Sequence, residues 1–279
     1  MKLISILLIA FATVGCGGDL KMDGCWRHVE VAIDGDNSEW SNCSTYLEDE
    51  DFAVGVMNDA DYLYISLSTA DREVQRQVMM SGMIVWVDVT NDKAKSFGVR
   101  FPLGMREGDM RERIQEMRDR PDPPDRAEMQ QQFVRQIGEM DRFEMIGPHE
   151  GNVRLLQIED SKYVKVKLGV INGAFVYELR VPLDKQKDYL YGLGAKPGDN
   201  IAIGWDSPEI DRGEMRGMGG GEMGGGGRGG GGGGYGGGRK GGGMGGAGGL
   251  GMRPPGDSFE PPEPFEVWAK VKLVPRSDN

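Results

Sequence analysis

The strongest constraint on this chain is a succession of short apolar stretches, each six to ten residues long and closed off by turn-forming residues. Phe52 to Met57 and Tyr62 to Leu67 flank Asn58-Asp59-Ala60-Asp61, and the second run alternates aromatic and aliphatic residues as a half-buried strand does. The pair reads as a β-hairpin. Met83 to Val89 is apolar on both faces until Asp88, which suits a central strand, and Thr90-Asn91-Asp92-Lys93 turns it toward Ser96 to Phe101. Val153 to Ile158, Tyr163 to Val170, Ala174 to Val181, Asn200 to Trp205 and Phe265 to Val274 continue the series. Many short strands at such spacing predict an all-β chain, a jelly-roll-like β-sandwich spanning 29–211 and completed by a last strand within 257–279.

Two segments break this rhythm. Between Gly104 and Gly147 the sequence becomes charged and Met-rich, with Met110, Ile114 and Met117 at helical spacing, then a Pro-rich break, then Met129, Phe133, Ile137 and Met140. This predicts a two-helix insertion whose narrow apolar stripes lie against the sandwich; a lid over a site, or a docking face for a protein partner, is the alternative. From 212 to 256 the chain is dominated by glycine, and Gly213 to Gly251 holds more than half of the 46 Gly. Such a composition has almost nothing to bury and predicts a disordered loop before the last strand, serving as an excursion, a tether or an envelope contact surface.

The N-terminus carries Lys2 followed by an uncharged apolar run from Leu3 to Val14, which is an export signal and too short to span a bilayer. Ala12-Thr13-Val14-Gly15-Cys16 resembles a bacterial lipobox, which implies a signal peptide over 1–15 and a lipid on Cys16; Gly17 resembles an outer-membrane address. An ordinary secretory signal cut nearby is the alternative. Residues 16–28 are expected to be a tether. On this reading the protein resides in the cell envelope, lipid-anchored to the outer membrane of a Gram-negative bacterium. Of the 3 Cys, Cys25 and Cys43 then remain, and an oxidising compartment favours a disulfide between them over a free buried pair.

Lys+Arg 33 against Asp+Glu 44 gives a net charge of −11. That balance offers no electrostatic basis for binding nucleic acid or an anionic lipid surface, and it favours a neutral or cationic partner or a divalent metal. No catalytic constellation emerges. His28 and His149 stand in no ligand spacing, no nucleophile elbow or P-loop occurs, and the acids from Glu48 to Asp51 read as a solvated face, so a non-enzyme is expected. Aromatic rings exposed on a sandwich can stack on sugars. Of the 5 Trp, Trp86 and Trp268 are expected in the core, while Trp40 and Trp205, beside turns, are the candidates for contacting a carbohydrate. The 17 Met raise haem or copper ligation, although most lie in the helical or glycine segments.

Ala32 to Trp40, "AIDGDNSEW", places Asp34, Asp36 and Ser38 at the alternate positions of a calcium loop, but Glu39 stands where the glycine of an EF-hand belongs. An EF-hand is excluded; a simpler calcium site on Asp34 and Asp36 stays open. Ile33-Asp34-Gly35 with Glu39-Trp40, then "VMNDADYLYISLS", "GMIVWVD", "VYELRVPL" and "KPGDNIAIGWD", come in an order that resembles family 9 carbohydrate-binding modules and their DOMON-like relatives. The resemblance spans roughly Val29 to Asp206 plus the final strand. It implies a non-catalytic β-sandwich that binds sugars in the carbohydrate branch, as an oligosaccharide or polysaccharide, and haem in the redox branch. An envelope scaffold holding a protein partner through the helices or the glycine tract is the third reading. No cofactor follows from the residues themselves.

Overall fold

In a computed structural model the chain forms two β-sheets, and the structure describes residues 20–105, 125–147, 152–185, 191–209 and 263–276, with single residues 108, 115 and 119. The signal segment, Cys16 and the glycine-rich tract lie outside the described residues, as does most of the first expected helix. The strands are β1 (Leu20–Asp23), β2 (Cys25–Trp26), β3 (Ser44–Leu47), β4 (Phe52–Asn58), β5 (Tyr62–Thr69), β6 (Ile84–Asp88) and β7 (Gly98–Arg100). They continue as β8 (Arg142–Ile146), β9 (Val153–Gln157), β10 (Lys165–Ile171), β11 (Ala174–Pro182), β12 (Asn200–Ser207) and β13 (Phe265–Lys272). Two helices are described, α1 (Arg72–Ser81) and α2 (Arg126–Gly138).

The seven-stranded sheet runs β1-β13-β12-β6-β7-β8-β9, and the second sheet runs β10-β11-β5-β4-β2 with β3 also on β4. Alternation within the strands supplies the core. Val85 and Val87 of β6, Ile201, Ile203 and Trp205 of β12, and Ala269 and Val271 of β13 meet Val54, Val56, Leu63, Ile65, Leu67, Tyr177 and Leu179 of the other sheet in one apolar cluster. This is the expected all-β sandwich, and β6 lies between β12 and β7 as its doubly apolar sequence requires. The Asn58 side chain joins the sheets at one end, donating from Nδ2 to the Val274 carbonyl at 3.0 Å while its Oδ1 accepts from the Val274 N–H at 2.8 Å.

Three expectations are corrected. The supposed tether at 16–28 contains two strands, β1 parallel to β13 and β2 parallel to β4, because it fills sheet edges left by segments far away in sequence. The supposed helical insertion at 104–147 ends in strand β8, paired with β7 and β9. A helix absent from the sequence reading, α1, follows β5. The Asp71 carboxylate caps its start by accepting from the Glu73 and Val74 N–H groups, Val78 and Met79 enter the core, and Gly82 at φ +82° ends it. Helix α2 does pack as its stripe predicts: Phe133 stacks on Phe175 with centroids 5.2 Å apart, and Ile137 is buried.

Cys25 and Cys43 form the expected disulfide, closing a sequence separation of 18 residues. Alanine at both positions is expected to lower the unfolding free energy by about 3 kcal/mol in a denaturant titration.

Candidate functional site

Tryptophan placement organises both outer faces of the sandwich. Beneath the segment from Ala32 to Trp40, Glu178 of β11 is fully buried. Its Oε2 accepts from the N–H groups of Asp34 at 2.9 Å and Gly35 at 2.7 Å, and its Oε1 accepts from the Trp40 indole at 2.8 Å. Gly35 has φ +86° and presses backbone to backbone on Gly169, where a Cβ would come within 2.7 Å of the Gly169 Cα. The Trp40 ring lies on Gly55, whose added Cβ would be 2.7 Å from it. Glycine at 35, 55 and 169 therefore lets the segment sit flush on the sheet.

Trp40 is 2% exposed and Trp205 is 0% exposed, so neither presents a ring face to a ligand. The expectation for both is corrected. Trp40 is the anchor of the segment, and Trp205 belongs to the main core, where its indole N–H has no partner among the described residues. Asp34 and Asp36 do not form a metal cage: Asp34 Oδ1 accepts from the Asp36 N–H at 3.0 Å, and Asp36 Oδ1 from the Ser38 N–H at 2.8 Å. No group of three or more His, Cys, Asp or Glu among the described residues could hold a metal ion. His28 is exposed, and His149 lies outside the described residues.

The tryptophans on the outer side of the larger sheet are Trp86, buried as expected, and Trp268, which was expected in the core and is partly exposed. Gly204 of β12 pairs with Trp268 on one side and Trp86 on the other, Trp86 pairs with Gly98 of β7, Gly98 with Ile146 of β8, and Ile146 with Val153 of β9. These six residues form one straight row across six strands, about 24 Å long at the usual strand spacing. The Trp268 ring lies over Gly204, where an added Cβ would be 2.8 Å from it, and the Trp86 ring lies over Gly98, at 2.7 Å. Only glycine lets each indole lie this close to the sheet. Trp268 is half-buried and Trp86 is 7% exposed, while Val153 at the far end is open to solvent.

Both indoles are tied down. Trp86 donates to Asp206 Oδ2 at 3.0 Å and Trp268 to Glu266 Oε1 at 2.7 Å, and the Lys95 ammonium joins these carboxylates at 2.8 and 2.9 Å. Lys95 Nζ also stands 5.9 Å from the Trp86 ring centroid, a cation–π contact. Burial works to lower the Lys95 pKa, but the hydrogen bonds and charges of Asp206 and Glu266 outweigh it and hold the ammonium above its ordinary value. The Trp268 indole, with Lys95 behind it, holds Glu266 below the usual carboxylate range. The loop carrying Lys95 is fixed by Asp88, which accepts from the N–H groups of Thr90, Asp92 and Ala94. Beside the row, Arg100 pairs with Glu144 at 3.6 Å. Each of these charged groups has a partner, and the partly exposed ring of Trp268, held flat on Gly204, is the aromatic surface this face offers, with Trp86 largely covered beside it.

The missed signal is period two. In "FEVWAKVK" Trp268 alternates with Glu266 and Lys270 on the polar face, whereas "IAIGW" puts Trp205 in phase with Ile201 and Ile203. Proximity to a turn was the weaker criterion.

No family model matches the chain, and no curated protein matches it. Among solved structures it is similar to a carbohydrate binding module family 9 from Caldicellulosiruptor kristjanssonii in complex with cellotriose, at 11% identity and a TM-score of 0.37, covering 93% of this chain and 96% of that one. A family 9 module from the same organism in complex with glucose matches at 11% identity and a TM-score of 0.32, covering 70% of this chain and 81% of that one.

Glu178→Ala is expected to lower stability by about 3 kcal/mol, since it strips buried N–H donors of their acceptor. Burial, outweighing the hydrogen bonds to Trp40, Gly35 and Asp34, holds the Glu178 pKa above its ordinary value. The folded state therefore binds the proton more tightly than the unfolded chain, and this group's contribution falls as pH rises from about 4.3 through the raised folded value. Denaturant titrations across that window should show the decline in the native chain and not in the Glu178→Ala variant.

Proposed function

We propose that this chain is a non-catalytic carbohydrate-binding lipoprotein of the cell envelope, whose outer sheet face stacks a glycan on Trp268 with Trp86 beside it. The observation that carries the reading is the registered row in which two indoles lie flat on Gly204 and Gly98 with both ring N–H groups already bonded. A ring fixed in this way loses little freedom when it stacks, and it presents an apolar face rather than a hydrogen-bonding edge. Lys95 bridges Asp206 and Glu266, and Arg100 pairs with Glu144, so both cations are engaged by carboxylates and neither is left to attract an acidic sugar, which suits a neutral sugar chain. Envelope residence is supported by the N-terminal signal and by the Cys25–Cys43 disulfide, which fits an oxidising compartment.

Isothermal titration against neutral oligosaccharides of glucose, xylose and mannose tests the binding. Trp268→Ala is expected to weaken the best ligand about tenfold; unchanged affinity, or no heat from any neutral glycan, would sink the reading. Anchoring is tested by metabolic labelling with a fatty acid: label is expected on the native chain and lost in Cys16→Ala.

A further inference from the structure

The outer face of the smaller sheet is only partly covered by the segment that Glu178 anchors. Beside that segment two cavities open, of about 430 and 250 Å³, both bordered by Asn37 and Ser68. The larger is within the range of small-ligand sites, about 300–1,000 Å³. Their floor follows the sheet register. Tyr46 pairs with Ala53, Ala53 with Ser68 and Ser68 with Val176, while Ser44 pairs with Gly55 and Gly55 with Ser66. Small side chains hollow the floor, and Tyr46, which is 58% exposed, forms a wall.

Two features give this groove a chemical character. Ser66 is 4% exposed and lines the smaller cavity, yet its hydroxyl has no hydrogen-bond partner among the described residues. The residue is nearly covered while its hydroxyl opens into the cavity, where a ligand hydroxyl can bond to it in place of water. The larger cavity is lined by the carboxylates of Asp51 and Asp71, and no lysine, arginine or histidine lines either cavity. The Tyr46 hydroxyl reports the same field. Its hydrogen bond to Asp51, then desolvation, then the charges of Asp51, Glu48 and Asp71 hold it above its usual pKa. Nearby, the Arg72 guanidinium is bonded to Gln75.

We infer that this groove is a second binding site, for a cationic polyhydroxylated ligand of the unacetylated amino-sugar class. The ammonium would pair with Asp51 and Asp71 and lie near the Tyr46 ring, while the sugar hydroxyls would meet Ser66, Ser68 and Asn37. The site stands on the opposite sheet from Trp268 and does not depend on neutral glycan binding there. A protein carrying both could hold two kinds of polysaccharide at once.

The test is isothermal titration of the full chain with a β-1,4-linked glucosamine tetramer, its N-acetylated counterpart and cellotetraose, at low and raised salt. The variants are Asp51→Asn, Asp71→Asn, the double variant and Trp268→Ala. Asparagine keeps the backbone roles of both acids, because it tolerates the positive φ of 55° at Asp51 and is as good a helix cap as Asp71. Unchanged thermal unfolding confirms that the variants fold. The glucosamine tetramer is expected to bind, more weakly at raised salt. The double variant should lose about tenfold or more in affinity, and Trp268→Ala should leave that binding intact. The proposal is overturned by no heat from the glucosamine tetramer, by equal binding of the acetylated tetramer, or by an unchanged double variant. Loss of amino-sugar binding in Trp268→Ala would also overturn it, by moving the ligand to the other face.

Discussion

The buried carboxylate of Glu178 sets the arrangement of the smaller sheet's outer face. A carboxylate removed from water is costly unless donors surround it, and here two backbone N–H groups and an indole do so. All three come from the stretch between Asp34 and Trp40, so satisfying one charge fixes the path of that whole stretch. Val31, Trp40, Met57 and Tyr64 then form a second apolar cluster outside the sheet, with the half-buried Cys25 and Cys43 packed against it. The disulfide closes the same layer that the carboxylate orients. The groove containing Ser66 exists because this cover stops short of Tyr46 and the start of α1.

The larger sheet solves its outer face differently. No comparable segment is tied onto it among the described residues, and its aromatic groups are held by side chains of the sheet and one loop. Asp88 fixes the loop, the loop presents Lys95, Lys95 joins Asp206 to Glu266, and each of those acids fixes one indole. Every member is satisfied by its neighbour, which makes the network rigid rather than costly. Glycine at 98 and 204 converts two bulky side chains into a low surface.

Most of the sandwich was legible because short apolar runs bounded by turn residues mark strands directly in the sequence. The hairpin of β4 and β5, the central place of β6 and the pairing of β12 with β13 around the glycine tract were all readable in this way. Strands β1 and β2 were not, because each is short and gains its partner from a distant part of the chain. Helix α1 was hidden by its ten-residue length between two strong strands, although Asp71 carries its cap. The exposure of the tryptophans was not legible in the same way. Trp40 and Trp205, expected to face a ligand, are buried; Trp86 is buried as expected, but against the outer side of its sheet, and Trp268, expected in the core, is the partly exposed one.

By itself the sequence determined that the chain would make a β-sandwich, because alternation dictates which side chains can be buried together. It also determined that the two cysteines could close the segment before β4. What only the tertiary structure decided was which face each tryptophan occupies relative to the rest of the molecule. Strand period tells which residues share a face, but whether that face is interior, covered or open depends on what packs upon it. For Trp40 the cover came from its own loop, folded onto a glutamate 138 residues away. For Trp268 it depended on a glycine in the neighbouring strand, whose missing side chain leaves room for the ring to lie flat.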